Sequence, residues 1–213
     1  MDNLKIKRIV AYFIDLIIVL LIISLLSNIN FLNPLQSKYD KVYKEFSQYY
    51  DEIIESISNT TTIDTENIID DVYVHYIYKL QIYGISYTLI SVVVTLLYFT
   101  CFPKFNDNRT IGKHLMKLKL VNSDNSDNVS IFKYLFRTLV LPISASPVLY
   151  FKLTNIINIA LLLIKSKMIY FYLYSAISMI SCILCYADIL FMLSRKDNRA
   201  LHDIITKTKV IEC

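Results

Sequence analysis

Two carboxylates inside apolar runs are the groups whose type and spacing could do chemistry in this chain. Asp15 interrupts IVAYFIDLIIVLLIISLL, residues 9–26, and Asp188 is the only charge in the run from about Met168 to Leu193. A carboxylate at mid-helix depth in a bilayer costs about 2.5–3.5 kcal/mol on insertion scales, so each needs a partner, a proton or a role. Arg8 lies seven residues before Asp15, and Arg195 seven after Asp188. Seven residues are nearly two helical turns, so each pair shares a face about 10 Å apart, too far to touch. The two carboxylates are therefore expected at similar depth. If the first and last apolar helices are neighbours, Asp15 and Asp188 could share a cation or a proton. The alternative is structural: each binds a Lys, Arg, Tyr or Ser of a neighbouring helix, Lys152 among the candidates, and fixes packing.

Other chemistries find little support. The chain has only two glycines, Gly84 and Gly112, far apart in sequence, which excludes a glycine loop cradling phosphates. The stretch Cys185-Tyr186-Ala187-Asp188 lacks the Gly-x-Gly-Asp pattern of presenilin-type intramembrane proteases. Cys182 and Cys185 form a C-x-x-C among Ile, Leu, Ser and Tyr, without the electropositive setting a reactive thiol needs, and are read as buried and inert. His75, His114 and His202 have no second ligand at metal-binding spacing. A net charge of +4 is too small to indicate a nucleic-acid partner. No cofactor, no metal and no enzymatic activity are expected.

The elements that must position the aspartates are read from hydropathy. With 55% hydrophobic and 19% charged residues the sequence departs from a soluble domain, where roughly 25% are charged. Four spanning helices are expected, at about 8–28, 80–102, 144–164 and 168–194, the second stopping at Pro103-Lys104. Before the third, residues 132–141 place Lys133 and Arg137 one turn apart, as in a short helix lying in the interface. Lys and Arg mark the cytoplasmic side. Residues 1–8 hold three basic and one acidic residue, 103–137 seven and three, and 194–213 five and three, whereas 28–79 hold four and nine. Both termini and the 103–133 loop are thus expected in the cytoplasm, and the 29–79 loop outside, in a cell membrane. In that loop Tyr39, Val42, Tyr43, Phe46, Tyr50, Ile53 and Ile57 recur at helical steps, and Ile68, Ile69, Val72 and Tyr76 continue the stripe. An extracellular helical hairpin over 36–78 results, packing on itself and the headgroups or meeting an extracellular protein partner.

On the cytoplasmic side, Leu118 and Leu120 alternate with Lys117 and Lys119, and TKTKVI from Thr206 alternates likewise. Two short strands that pair with each other fit this pattern, with Gly112 permitting a tight turn before the first.

Three blocks in order then resemble the RDD family of small membrane proteins. In KRIVAYFIDLIIV, Arg8 and Asp15 match the family's arginine and first aspartate. In RTIGKHLMKLKLV, Thr110, Gly112 and Lys113 match its threonine-glycine-lysine turn. In RKDNRALHDIITKTKVI, Leu201, His202 and Asp203 match its leucine-histidine-aspartate, and Thr208 and Val210 its closing residues. Ile111 stands where the family commonly has proline, and Lys207 where it has glycine. The resemblance implies a single multi-helix membrane domain over 1–213, with ion or small-solute transport the usual suggestion and no named substrate.

The expected protein is thus an all-α membrane protein of about four helices, an extracellular helical hairpin and a short cytoplasmic β element. Its charge cluster comprises Arg8, Asp15, Thr110, Gly112, Lys113, Arg137, Lys152, Asp188 and Asp203. Asp203 is expected to bind Lys113, Arg109 or backbone N–H groups, with Arg8 joining, and so to clamp the tail to the middle loop. Two functional readings remain: cation- or proton-coupled transport or a transport accessory, and a non-catalytic scaffold or assembly partner whose charges only specify packing. The bilayer is the expected partner, and a homodimer would thicken the wall of any solute path.

Overall fold

The structure, a computed structural model, describes residues 3–59, 71–139, 159–160, 162 and 166–213. The chain is mostly helical. In order it forms α1 (Asn3–Ser27), α2 (Gln36–Asn59), α3 (Asp71–Tyr83), α4 (Ile85–Leu96), a π-helical turn (Leu97–Cys101) and α5 (Phe102–Phe105). There follow α6 (Ile111–Leu115), β1 (Leu118–Asn122), α7 (Ile131–Leu139), α8 (Lys167–Ser194), α9 (Leu201–Ile205) and β2 (Thr208–Glu212). Among the described residues three helical stretches are long and apolar enough to cross a membrane: α1, Ile85–Phe105 and α8. The fourth expected span, 144–164 with Lys152, falls almost entirely outside the described residues.

The rows of α1 show how it is placed. Ala11, Asp15, Val19 and Ile23 recur every four residues and are buried, whereas Phe13, Ile17, Leu21 and Leu25 form a second row that is exposed. The exposed row suits lipid contact, because apolar side chains gain nothing by leaving hydrocarbon for a protein interior. The buried row packs Val19 and Ile23 against Val94 and Tyr98 of the second span.

The second span differs from its expected 80–102. Leu80–Tyr83 belong to α3, and the helix breaks at Gly84. At the other end it does not stop at Pro103 but continues to Phe105, with Pro103 in the first turn of α5. A proline within a continuous α-helix lacks its N–H and presses on the carbonyl four residues earlier. Here the preceding turn, Leu97–Cys101, widens to a π-helix, one of the usual ways a helix relieves that clash.

α2 and α3 pack together as the expected hairpin, with Phe46 against Tyr73 and Tyr76, and Tyr49 against Tyr76. α8 meets the rest near its two ends. Tyr170 is fully buried and lies edge-on to Tyr78 of α3, while Asp188 and Met192 are buried toward the other end. Cys182 is exposed on α8, so this thiol is not buried as expected; Cys101, Cys182 and Cys213 are free.

At the end of the molecule away from the hairpin, β1 and β2 pair antiparallel, with Leu120 opposite Val210 at the centre of the register. Leu118, Leu120 and Val121 are completely buried, joined by Val129, Tyr134 and Ala11. Each such side chain contributes about 1.5–3 kcal/mol where burial removes it from water. The two strands are introduced in the same way. Each follows a five-residue helix and one left-handed lysine, Lys117 at φ 54° and Lys207 at φ 52°.

Candidate functional site: a charged cluster where the first and last spans meet the sheet

Asp15 is 2% exposed and is held by three donors from two other segments. Tyr98 donates its hydroxyl to Oδ1 at 2.6 Å and the Gly112 backbone N–H donates to the same oxygen at 2.7 Å, while Thr110 donates its hydroxyl to Oδ2 at 2.5 Å. Thr110 also N-caps α6, accepting from the Lys113 N–H. The carboxylate thus ties α1 to the second span and to the start of α6. Among the described residues every donor is neutral, and Asp188 is not a partner.

Gly112 owes its place to this contact. Its φ is not positive, so a turn that only glycine could adopt is not the reason. A Cβ built there would lie 2.0 Å from the Ala11 carbonyl oxygen and 2.9 Å from Asp15 Cγ. The backbone of α6 rests directly on that of α1, and Ala11 on the other side keeps the approach short.

Asp188 is met by the corresponding part of the second unit. The His202 N–H donates to Asp188 Oδ1 at 3.2 Å, and the ring Nδ1 lies 3.0 Å from Oδ2. The other ring nitrogen, Nε2, lies 3.2 Å from Oδ1 of Asp203. Only the doubly protonated ring can donate toward both carboxylates.

Asp203 is fully buried and gathers the rest. Arg8 Nη2 lies 2.7 Å from Oδ2 and Arg137 Nη1 2.5 Å from Oδ1, and the Ala200 N–H donates to Oδ2 at 3.0 Å. Burial on its own would raise this carboxyl, but the charges of His202, Arg137 and Arg8 hold it well below the usual carboxylate range. Of the expected clamp, the backbone N–H and Arg8 are in place, Arg137 joins them, and Lys113 and Arg109 make no bond to Asp203. Arg8 also donates to the Asn198 carbonyl, Lys5 to the Leu193 carbonyl at 2.8 Å, and Lys7 pairs with Glu212 at 2.8 Å. The N-terminal turns of α1 are therefore fastened to the last turn of α8, the following loop and β2. Arg137 reaches in from α7, the expected interfacial helix, and also donates to Thr208.

Arg8, Asp15, Lys113, Arg137, Asp188 and His202 all line one cavity of about 130 Å³. Of the expected cluster the structure thus assembles every member except Lys152, which lies outside the described residues. Asp15 and Asp188 share the cavity wall but have no bond to one another, each being occupied by its own partners. Two participants were not anticipated. Tyr98 was one apolar-run residue among many, and nothing in its spacing marks it. His202 was dismissed as a metal ligand, yet its place in the leucine-histidine-aspartate block was a signal. Among the described residues no group of His, Cys, Asp and Glu could hold a metal ion.

The RDD family model matches residues 5–207, a range that takes in Arg8, Asp15, Thr110, Gly112, Lys113, Arg137, Asp188, His202 and Asp203. No curated protein and no solved structure matches the chain.

Proposed function

Because the chain belongs to the RDD family, we propose that this integral membrane protein is a non-enzymatic scaffold or assembly partner in the bilayer, whose buried charges lock its helices in register. The observation that carries this reading is the occupancy of Asp15: both of its oxygens accept hydrogen bonds from groups of the same chain. A carboxylate that carries ions must turn toward them, and this one is already committed to Tyr98, Thr110 and Gly112. The same economy extends to Asp188 and Asp203. In this reading the sheet end faces the cytoplasm of the cell, with both termini, and the α2–α3 hairpin is the surface offered to an external partner. The support is the basic excess around the sheet and the acidic excess of the hairpin.

A second reading, proton- or cation-coupled transport, is favoured by one fact: Asp15, Asp188 and His202 line the same cavity. Ion flux into proteoliposomes separates the two. The scaffold reading expects no flux above protein-free vesicles under sodium, potassium or proton gradients. A flux that disappears in Asp15→Asn, while the variant remains monodisperse, would establish transport instead.

A further inference from the structure

Among the described residues Lys113 is the one cation of the cluster that the clamp does not use. It projects from α6 and lines the cavity, yet among the described residues its ammonium has neither a hydrogen bond nor an ion pair. Carboxylates lie near it, but none of those described is bonded to it. Burial, with help from Arg137 and Arg8, pushes it down to about 8, and the attraction of Asp15 and Asp203 does not offset this. The nearby carboxylates are engaged elsewhere: Asp203 with two arginines, Asp188 with His202, and Asp15 with three neutral donors. Arg137 has donors to spare as well, since among the described residues only Nη1 is used, toward Asp203 and Thr208, out of five N–H groups.

The cavity walls are of two kinds. Ile9 and Tyr12 of α1, Phe99 of the second span, and Ile189 and Met192 of α8 come from spanning helices, while the polar part joins Lys113, Arg8 and Arg137 to Asp15 and Asp188, whose oxygens already accept from other donors. The cavity volume of about 130 Å³ is roughly tenfold the ~10–15 Å³ that a cavity needs to hold one water. An ammonium beside a guanidinium with free donors suits tetrahedral phosphate oxygens, which accept from several directions at once.

We propose that this cavity binds a phosphate group, held by the Lys113 ammonium and the free N–H groups of Arg137, with the spanning-helix wall accommodating apolar atoms attached to it. The site rests on the cluster described above and holds whether that cluster serves a scaffold or a carrier. The phosphate has two sources, free phosphate or the headgroup of an acidic phospholipid, and the experiment has an arm for each.

Full-length protein purified in zwitterionic detergent is titrated with inorganic phosphate, and separately with phosphatidylglycerol against phosphatidylcholine, following the thermal midpoint. A saturable rise with phosphate identifies the free anion; a rise with phosphatidylglycerol alone identifies the lipid. In either case Lys113→Gln weakens half-saturation by about tenfold or more, as expected for the loss of one charge-assisted hydrogen bond. Lys104→Gln binds like the wild type, because that ammonium is bonded to Asn128 and Val129 away from the cavity. A second measurement needs no variant: acylation of Lys113 in the wild-type protein, read by peptide mass, slows when the ligand is saturating. Absence of any saturable shift, equal shifts in wild type and Lys113→Gln, or an unprotected Lys113 each overturns the proposal. Ion flux does not enter these readouts, so failure here and failure of the functional reading are told apart.

Discussion

Asp15 offers the sharpest test, because alanine and asparagine should damage the site to different and calculable extents. Alanine removes both acceptor oxygens and orphans three buried donors, the Gly112 N–H and the Tyr98 and Thr110 hydroxyls. An unsatisfied buried donor costs about 1–3 kcal/mol, and hydroxyls can partly re-aim whereas a backbone N–H cannot, so Asp15→Ala should lose about 3–6 kcal/mol. Asparagine can keep its oxygen where Oδ1 stands and retain the Tyr98 and Gly112 bonds. Its amide then donates to the Thr110 oxygen, which must turn its own proton away, and the loss falls to about 1–2 kcal/mol. Tyr98→Phe removes one donor and leaves the carboxylate with two, at a cost of about 1–2 kcal/mol. Equilibrium unfolding by denaturant in mixed micelles measures all three. The account fails if Asp15→Ala lies within about 1 kcal/mol of wild type, or if asparagine costs as much as alanine.

The remaining predictions concern the neighbours of that carboxylate. Gly112→Ala forces α6 off α1 and should cost about 3 kcal/mol or more, beyond ordinary overpacking because the clash is with the Ala11 backbone; loss of the monodisperse peak in fluorescence-detected chromatography checks it. Asp203→Ala leaves two buried guanidiniums uncompensated, about 3–5 kcal/mol, and combining it with Arg8→Ala should cost clearly less than the two separately, a double-mutant cycle that independent effects would contradict. Acid sensitivity follows from the same group. The Asp203 carboxyl is lowered in the folded protein relative to 3.8, so its stabilisation is present above that value and is lost as pH falls through the folded one. Stability should therefore decline below about pH 4, and this decline should flatten in Asp203→Asn. Lys113 has the opposite sign: lowered from 10.5 to about 8, it costs stability at neutral pH and relieves that cost as pH rises between those values.

Much of this arrangement is legible in the sequence, and the reasons are local. α1 and α8 follow from long apolar runs that each carry a single aspartate, and β1 and β2 from alternation around Leu118–Leu120 and Lys207–Val210. The seven-residue spacings correctly kept Arg8 away from Asp15 and left the aspartate in need of another partner. What that partner is depends on how helices pack, and any of several tyrosines in the second span would have satisfied the pattern equally. The function of Gly112 was misread for a related reason. A sequence shows that glycine was kept, but not whether its backbone angles or its missing side chain is what matters. The end of the second span was placed at Pro103 because a proline disfavours continuation, and the π-helical turn that accommodates it leaves no periodic trace.

The parallel between the two units at the sheet has a further consequence. Thr110–Asn122 and Ala200–Glu212 align residue for residue as cap, short helix, left-handed lysine and strand. Gly112 in one unit and His202 in the other occupy the same position, and each gives its N–H to an aspartate from a spanning helix. The strands meet about a local two-fold axis through Leu120 and Val210. Such self-matching contact is what identical subunits use to form an isologous dimer. Here one chain contains both halves. The symmetry is broken in the side chains, since His202 sets an imidazole between Asp188 and Asp203 where Gly112 brings only a backbone. At this position one half offers only a backbone contact, whereas in the other a ring ties the tail to two carboxylates at once.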